Sequence, residues 1–301
     1  MQNKFIIAPT IKEALNKKEP VVALESAVIT HGLPRPINIE TAIEMEEAVL
    51  KNGAHPATIG ILNGKIHIGL SYEEIRLLGT IEGSVKISLR NIAGAIVKSQ
   101  FGGTTVSATM IIAKQAGIKT FATGGIGGVH RGNPFDISAD LPTLASTPMV
   151  VVCAGVKAIL DLPSTMEVLE TSGVPVIGYQ TGKLPAFYSD SSGLFVDYQL
   201  DNAKEISDFS QNHWDLGLKT AVLVTVPLPG EYSLDSEYLE EKINQALEKA
   251  AKMNIKGSAI TPFLLNEVSK STKEKSLKAN RSLLINNAII AAQIAENLSN
   301  I

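Results

Sequence analysis

The feature that most constrains this sequence is a repeated order of helix, glycine, short apolar strand and glycine, at residues 105–124 and again at 164–178. In each unit a helical stretch stops at a glycine, the residue that most often follows a helix end. It then enters an apolar run too short to form a helix. Strands that alternate with helices in this way are typical of βαβ units, whose successive strands lie parallel. The pattern therefore predicts an α/β fold with a largely parallel sheet.

The same reading along the chain predicts the other main elements. An Asn-Gly pair at 63–64, between two apolar runs, predicts a hairpin, because both residues tolerate positive φ. The charge-dense stretch 270–278 is predicted to be a solvated loop between helices. Apolar runs and helical periodicity predict strands at 21–26, 85–88, 118–123, 149–154, 174–178 and 220–226, and helices at 39–51, 105–116, 164–172, 234–252, 262–270 and 276–298.

Composition excludes several classes of protein. Of the 301 residues 45% are hydrophobic and 19% charged, and the formal net charge is −3, so no broad basic surface exists for a nucleic-acid polymer or an anionic membrane. No apolar run approaches the length of a transmembrane helix. The N-terminus lacks the apolar core of a signal peptide, and we expect a cytoplasmic protein. The single cysteine, Cys153, lies in an apolar run and is predicted to be a buried strand thiol.

The segment Ala122–Asp140 is the richest in candidate chemistry. It has four glycines in five successive positions after a predicted strand, where backbone N–H groups can approach an anion closely. His130 and Arg131 follow and can add side-chain donors. Asp136 and Asp140 are four residues apart, a spacing that on a helical turn places both carboxylates on one face and suits Mg²⁺ or Mn²⁺. The glycine spacing does not match a dinucleotide-binding motif.

Two charged residues stand at the ends of apolar strands. Glu25 needs either a structural partner or an environment that tunes it as a general acid/base, since a buried carboxylate is costly. Lys157 either extends to solvent or is partly desolvated, which would free a nucleophilic amine. Lys86 and Arg90 are candidate phosphate ligands or ordinary surface charges.

Short motifs spread along the chain then point to one family. In order they are residues 21–26 (Val-Val-Ala-Leu-Glu-Ser), 56–59 (Pro-Ala-Thr-Ile), 104–106 (Thr-Thr-Val), 121–132 (Phe-Ala-Thr-Gly-Gly-Ile-Gly-Gly-Val-His-Arg-Gly), 136–141 (Asp-Ile-Ser-Ala-Asp-Leu), 152–155 (Val-Cys-Ala-Gly) with Lys157, 177–181 (Ile-Gly-Tyr-Gln-Thr), 261–265 (Thr-Pro-Phe-Leu-Leu) and 286–288 (Asn-Asn-Ala). From about residue 9 to 296 the chain resembles the pseudouridine-5′-phosphate glycosidases, also called the indigoidine-synthase-A-like family.

This resemblance implies a fold and an activity. The expected fold is a three-layer α/β/α arrangement with a mostly parallel mixed central sheet, formed by residues 1–301 as a single domain. The expected reaction is the reversible cleavage of the C–C glycosidic bond of pseudouridine 5′-phosphate, which yields uracil and ribose 5-phosphate. The resemblance also implies Mn²⁺ as cofactor and a homotrimer.

The family's functional residues fall on matching positions of this chain. The resemblance assigns Lys157 as the nucleophile, Glu25 as the acid/base and Asp136 as the metal ligand. Substrate contacts are assigned to Lys86, Thr105, Val106, His130, Ser138, Ala139, Asp140 and Asn286.

The chain departs from the family pattern at residues 88–91 and in a loop between Arg131 and Asp136 that is shorter than in some relatives, and two other functions stay open. The family usually reads Ser-Arg-Arg-Asp where this chain has Ser88-Leu89-Arg90-Asn91, which removes one positive and one negative charge. A related enzyme could act on another C-ribosyl phosphate, for example in pigment synthesis. A non-catalytic sugar-phosphate binding protein is the third hypothesis, although Glu25 and Lys157 are both present.

Overall fold

A large mixed β-sheet lies at the centre of the protein, as seen in a computed structural model that describes residues 5–189, 191–255, 260–272 and 275–299. The described strands are β1 (Phe5–Ile7), β2 (Val21–Glu25), β3 (His55–Leu62), β4 (Lys65–Ile68), β5 (Val85–Ile87), β6 (Gly102–Thr104), β7 (Thr120–Ala122), β8 (Val129–His130), β9 (Asn133–Ile137), β10 (Val150–Cys153), β11 (Leu160–Asp161), β12 (Val176–Tyr179), β13 (Tyr198–Leu200) and β14 (Val222–Thr225).

Helices connect most of these strands. The described α-helices are α1 (Pro9–Lys17), α2 (Ile37–Lys51), α3 (Tyr72–Thr80), α4 (Ile92–Val97), α5 (Val106–Ala116), α6 (Asp140–Leu144), α7 (Leu162–Thr171), α8 (Ala203–Asp215), α9 (Ser236–Lys252), α10 (Ile260–Ser271) and α11 (Lys275–Ser299). A π-helical turn at Val28–Gly32 directly follows β2, and a 3₁₀ turn spans Gly230–Tyr232.

The sheet is mostly parallel, as the βαβ pattern predicts. Its main order is β1-β4-β3-β2-β7-β10-β14-β12-β13, and along this path only the β3–β4 pair is antiparallel. β6 pairs antiparallel with β3 and carries β5 beside it. On one side α11 contacts β2, β7, β10 and the helices α2 and α8, while α5 covers β2 and β3 on the other. The predicted single-domain α/β/α fold is confirmed.

Burial explains why the centre of the sheet reads as continuous apolar runs. β10 lies between β7 and β14, and all four of its side chains, Val150–Cys153, are fully buried. A parallel strand covered on both faces has no solvent side, so the alternation of polar and apolar residues disappears.

The thiol of Cys153 is buried within this strand, as predicted, and burial raises its pKa to about 12. It therefore stays protonated and unreactive at neutral pH.

The order of the parallel strands determines where a site can form. Parallel strands end at the same edge of a sheet, and ligands in α/β folds bind beyond that edge. β2, β7 and β10 are neighbours, so the residues that follow them meet in space. These residues are Glu25 at the end of β2, the glycine-rich loop after β7 and Lys157 after β10.

Local sequence signals place several turns and helix ends correctly. The Asn63-Gly64 hairpin joins β3 to β4, with φ of 48° and 72° at the two turn residues. Gly117, at φ 85°, ends α5 as predicted. Thr105 does precede the first residue of α5, but its hydroxyl bonds to the Ser107 hydroxyl at 3.1 Å instead of capping the helix. The sequence favours Thr104 or Thr105 as the cap of this helix, but no side-chain cap bond forms, because the Thr105 hydroxyl bonds within the same turn.

The predicted loop over 270–278 is wrong for most of its length. α10 continues to Ser271 and α11 begins at Lys275, while residues 273 and 274 lie outside the described part of the chain. Lysine and glutamate are good helix formers, and charge alone does not separate a solvated helix surface from a loop. Thr272 bonds to Ser276 through their hydroxyls at 2.9 Å, which supports the start of α11.

A second, small antiparallel sheet was not predicted. Its strand order is β11-β8-β9, and it is formed by the chain just after the glycine-rich loop and just after Lys157. β8 and β11 have two residues each, too few to show any periodicity.

Among the helices the structure describes, none is long and apolar enough to cross a membrane.

The Asn63-Gly64 turn yields a stability prediction. A Cβ on Gly64 would lie 2.5 Å from the Ile96 carbonyl oxygen and 2.8 Å from Ser99 Cα, whereas a Cβ on Gly83, at a similar φ of 73°, meets nothing within 4 Å. We expect Gly83→Ala to lower the free energy of unfolding by about 1–2 kcal/mol through backbone strain alone. Gly64→Ala should cost roughly 1–3 kcal/mol more through overlap. Urea unfolding measures both, and equal losses would contradict the packing of this turn against α4.

Candidate functional site

A buried carboxyl group lies at the centre of the candidate site. Glu25 ends β2 with only 9% of its surface exposed, and Oε1 accepts a hydrogen bond from the hydroxyl of Thr123, the first residue after β7. Burial raises the pKa of Glu25 above its ordinary value, and the Thr123 hydrogen bond opposes the rise. A carboxyl group whose pKa is raised holds its proton more readily than a free glutamate, which suits a general acid/base.

The second sequence-predicted catalytic residue lies beside the first. Lys157 is half-buried, and its positive charge is close enough to Glu25 to lower the pKa of that carboxyl group. The loops after β7 and β10 run side by side beyond the sheet, because Ile126 donates its N–H to the Gly155 carbonyl at 3.1 Å and Lys157 donates to the Ile126 carbonyl at 3.1 Å. These hydrogen bonds continue the pairing of β7 with β10 beyond the strands. They place Lys157 at the same edge of the sheet as Glu25.

Lys86 brings a second amine to the same space. It belongs to β5 and is half-buried. Burial and the charge of Lys157 lower its pKa, while Glu25 and Asp140 raise it. Four charged groups from separate parts of the chain therefore interact at one place. Two are cationic and two anionic, a balance that whole-chain composition cannot reveal.

Asn91, one of the departures from the family pattern, supports the strand that carries Lys86. Its side-chain amide donates to the Lys86 carbonyl at 3.0 Å, and its amide oxygen accepts the N–H of Ser88 at 2.8 Å. An asparagine can make both bonds because it has both a donor and acceptors. Residues 88–91, which lack two charges of the family pattern, are thus ordered by hydrogen bonds between uncharged groups.

Asp140 joins three segments of the site. Its Oδ1 accepts the N–H of Ser107 at 3.0 Å, and its Oδ2 accepts the N–H of Gly127 at 2.8 Å. It thereby links the start of α6 to the first turn of α5 and to the glycine-rich loop. A Cβ on Gly127 would overlap Ser138 Oγ and lie 2.8 Å from Asp140 Oδ2, so the loop can approach this closely only with glycine.

The first turn of α5 is a second source of donors. Val106 is the first residue of the helix, and its side chain is buried. The N–H groups of a first turn have no partner within the helix and carry the positive end of the helix dipole. The Ser107 N–H is occupied by Asp140 and the Thr109 N–H by the Thr105 carbonyl, so the first-turn donors that can face a ligand are the N–H groups of Val106 and Ala108. The backbone, and not the valine side chain, is what this position can offer.

The expected Asp136–Asp140 pair is wrong. Asp136 lies in the extended strand β9, whereas Asp140 is the first residue of α6, so no helical turn places the two carboxylates on one face. A four-residue spacing aligns two side chains on one face of a helix, but here the first of the two residues lies in a strand. Asp136 is half-buried and has no hydrogen bond or ion pair within the described ranges. Asp140 is already occupied by two backbone donors.

The side chains of the described residues can be compared with the ligands that a metal ion needs. No group of three or more His, Cys, Asp or Glu side chains among the described residues could hold an ion. A single unpartnered carboxylate such as Asp136 does fit a hydrated Mg²⁺ or Mn²⁺ ion, which keeps several waters and takes few protein ligands. A closed site made only of protein ligands does not fit.

The other substrate residues assigned by the resemblance lie on three further segments of the chain. Ser138 and Ala139 form the turn between β9 and α6, where Ser138 Oγ accepts the Asp140 N–H at 3.2 Å. His130 is in β8, paired with Leu160 just beyond Lys157. Asn286 is half-buried on α11, 3.5 Å from the Pro227 carbonyl.

Sequence reasoning missed or misread three polar side chains near the centre. The Thr123 hydroxyl donates to Glu25. The position of Thr123 between a predicted strand and the glycines is a signal that could have identified it as a site residue. Asn287 lies beside Asn286 and donates to the Thr123 carbonyl at 2.8 Å. Arg131, expected to be a ligand donor, instead bonds the carbonyls of Ala158 and Leu160, at 2.9 and 3.1 Å. The reason is that β8 turns this side chain toward the chain after Lys157.

Fold and site together define a class of protein. A buried glutamate and a partly buried lysine meet beyond adjacent strands of an α/β/α sheet, an arrangement suited to acid/base chemistry with a nucleophilic amine. Residues 10–297 match the family model described as indigoidine synthase A like protein, and the chain belongs to that family.

Named relatives cover the whole chain. A pseudouridine-5′-phosphate glycosidase of Caldanaerobacter subterraneus is 53% identical over 99% of this chain and 98% of its own. One of Geobacillus kaustophilus is 50% identical over 99% and 100%. Among solved structures, the prealnumycin C-glycosynthase AlnA in complex with ribulose 5-phosphate is 39% identical with a TM-score of 0.91, covering 99% of this chain and 98% of that one. An indigoidine synthase A-like protein of Thermotoga maritima is 36% identical with a TM-score of 0.89, over 94% of each chain.

The Thr123 hydrogen bond yields a prediction about Glu25. Thr123→Val removes a donor to the ionised carboxylate, so the pKa of Glu25 should rise further, by about one pH unit. Thr123→Ser keeps the hydroxyl and should titrate close to the unmodified protein. Carbon-13 NMR titration of labelled glutamate carboxyls, assigned with Glu25→Gln, measures the midpoints. A Thr123→Val midpoint equal to that of the unmodified protein would show that this bond does not set the proton affinity of Glu25.

Proposed function

We propose that this protein catalyses the reversible cleavage of the C–C glycosidic bond of pseudouridine 5′-phosphate, releasing uracil and ribose 5-phosphate. The observation that carries the proposal is the meeting of Glu25 and Lys157 at the sheet edge, in a chain about half identical, over its whole length, to named glycosidases of this substrate. The resemblance of the sequence motifs to pseudouridine-5′-phosphate glycosidases agrees with the observed fold and with the family match.

The chemistry explains why a lysine is required. A carbon of uracil is a poor leaving group, and the usual pair of carboxylates that protonates a leaving oxygen has no means to break a C–C bond. In the proposed reaction the Lys157 amine adds to C1′ of the ribose as the bond from C1′ to the ring oxygen breaks. Glu25 supplies the proton that the ring oxygen takes up.

The adduct then allows the C–C bond to break with its electrons accounted for. The ammonium formed at the Lys157 nitrogen returns a proton to Glu25, which leaves a neutral amine with a lone pair. Glu25 then gives this proton to the base at the carbon that is joined to C1′. The nitrogen lone pair forms a C1′=N bond while the C–C bonding pair passes to the base, which leaves as uracil. Water hydrolyses the imine and releases ribose 5-phosphate with the free amine. The net reaction consumes one water, and every step is reversible.

Lys86 and the first turn of α5 suit the charged end of the substrate. We assign to them, with Thr105, Val106, His130, Ser138, Ala139, Asp140 and Asn286, the binding of the sugar phosphate and the base. The lowered pKa of Lys86 shows a partly desolvated amine, whose attraction for an anion is less weakened by water. Asp140 acts in this scheme through Ser107 and Gly127, whose positions it determines.

Mn²⁺ is proposed as the cofactor, with Asp136 and waters as its ligands. Asp136 is the unpartnered carboxylate of the β9 strand, and a hydrated ion needs few protein ligands. When bound, such an ion would help to orient the phosphorylated substrate and ordered water.

Two further properties complete the proposal. We propose a homotrimer, for which exposed apolar side chains offer support: Phe135 on β9 is 92% exposed, Val97 84% and Leu216 81%. A cytoplasmic location agrees with a metabolic enzyme that acts on a single nucleotide.

A second candidate is a related C-glycosynthase activity that joins another aromatic carbon to a sugar phosphate. It is favoured by the similarity to the prealnumycin C-glycosynthase, although the identity of 39% is lower than the 53% shared with a glycosidase. A panel of phosphorylated C-nucleosides separates the two, because only the first candidate predicts uracil release as the fastest reaction.

Uracil release tests the assigned roles. Glu25→Gln should lower the turnover of pseudouridine 5′-phosphate by about 10²–10⁴-fold, the usual size of an acid/base contribution. Lys157→Ala should also stop the formation of a borohydride-stable adduct with ribose 5-phosphate, whereas Lys65→Ala, at an exposed lysine of β4, should change neither. Absorbance of released uracil and peptide mass mapping give the two readouts. Full turnover by Lys157→Ala would exclude the lysine mechanism.

Metal removal tests Asp136. Dialysis against a chelator should abolish uracil release, and added Mn²⁺ should restore it. Asp136→Asn should raise the Mn²⁺ concentration for half-saturation at least about tenfold, since one carboxylate ligand is lost. Electron paramagnetic resonance of free Mn²⁺ measures binding directly, with Asp215→Asn on the exposed surface of α8 as control. Unchanged Mn²⁺ binding by Asp136→Asn would remove its role as a ligand.

A further inference from the structure

The backbone just after Lys157 is held by an arginine from another part of the chain. Arg131, the residue that follows β8, donates from Nη2 to the Ala158 carbonyl at 2.9 Å and from Nε to the Leu160 carbonyl at 3.1 Å. These are the carbonyls one and three residues after Lys157. The planar guanidinium presents its donors in a fixed fork, so both carbonyls are held in one geometry.

The same guanidinium is anchored to α9. Glu240 accepts from Nη2 at 3.0 Å and also from Nη1, which makes a two-pronged ion pair. The hydrogen bonds from Arg131 lower the pKa of Glu240 below its ordinary value, so the carboxylate stays charged. Arg131 thus links the Lys157 turn to α9, a helix that begins at Ser236.

The turn after Lys157 lies between the protein core and a cavity, and its side chains at Ala158, Ile159 and Leu160 are buried. Ala158 and Leu160 line a cavity of about 720 Å³ whose wall also contains Arg131 and Glu240. On the cavity side, Arg131 supplies the hydrogen bonds to the Ala158 and Leu160 carbonyls, in addition to the pairing of Leu160 with His130 in the small sheet. On its inner side the turn has the Lys157 N–H bond to Ile126 and the Leu160 N–H bond to Lys157, at 3.1 and 2.9 Å.

We propose that Arg131 and Glu240 are positioning residues, which hold the Lys157 turn so that the amine meets C1′ of the sugar phosphate. This inference rests on the proposed function, because it assigns the pair to imine formation at Lys157. Neither residue touches the substrate in this scheme. A nucleophile displaced by about 1 Å can lose on the order of 100-fold in rate, so a restraint on its backbone affects the chemical step.

The test follows the imine itself. The Lys157 amine adds to the C1 aldehyde of ribose 5-phosphate, water leaves, and borohydride delivers hydride to C1 to give a stable secondary amine. The rate of this trapping at saturating ribose 5-phosphate reports the placement of the amine. Hydrogen exchange of the backbone at 157–162 and the thermal unfolding midpoint are measured on the same variants.

Glu240→Ala removes the anchor without changing any residue of the site. We expect at least a tenfold slower trapping rate, an unchanged half-saturating concentration of ribose 5-phosphate and faster exchange at 157–162. Glu240→Gln keeps one acceptor oxygen and should lose less. Arg131→Lys, which cannot reach both carbonyls and Glu240 together, should match or exceed the loss of Glu240→Ala.

The matched control is another two-pronged ion pair, Arg281 with Glu44, which joins α11 to α2. The side chains of Glu44 and Glu240 are 37% and 50% exposed, so their removal should shift the unfolding midpoint by similar amounts. Glu44→Ala should leave the trapping rate unchanged. Equal trapping rates and equal exchange in Glu240→Ala and Glu44→Ala would overturn the inference. Absence of any Lys157 adduct in the unmodified protein would instead refute the proposed function, and the positioning role with it.

Discussion

The carboxylate of Asp140 holds together the three segments from which the site is built. It accepts N–H groups from α5 and from the glycine-rich loop while it starts α6. Hydrogen bonds to an ionised acceptor are stronger than neutral ones, and in a buried place their loss would leave donors unsatisfied. The Val106 N–H, the loop after β7 and the Ser138 turn depend on this one side chain for their relative positions.

Around that anchor, four charges share a space from which water is largely removed. Glu25 and Asp140 are anionic when ionised, and Lys86 and Lys157 are cationic. Burial pushes Glu25 toward its protonated form and Lys86 toward its neutral form, while their neighbours partly oppose the change. Perturbed pKa values of this kind, caused by burial together with named charge partners, are typical of functional sites. Cys153 lies close by but stays protonated, since burial dominates its pKa.

Local signals predicted the elements that local physics controls. The Asn63-Gly64 turn and the Gly117 helix end need positive φ, and the residues there supply it. The buried strands read as apolar runs because they are covered on both faces. The loop predicted at 270–278 failed because charge does not distinguish an exposed helix from a coil. The Asp136–Asp140 pair failed because a spacing of four has a different meaning on a strand and on a helix.

The sequence alone determined the α/β class, most strand positions, the family, and the candidacy of Glu25 and Lys157. These follow from composition, periodicity and motif, which are written along the chain. Only the tertiary structure decided that Thr123 bonds Glu25, that Asn287 rather than Asn286 contacts the glycine-rich loop, and that Arg131 serves the Lys157 turn through Glu240. These are contacts between residues about 30 to 160 positions apart. A hydrogen bond over such a separation depends on strand order and helix packing, for which a single sequence carries no local signal.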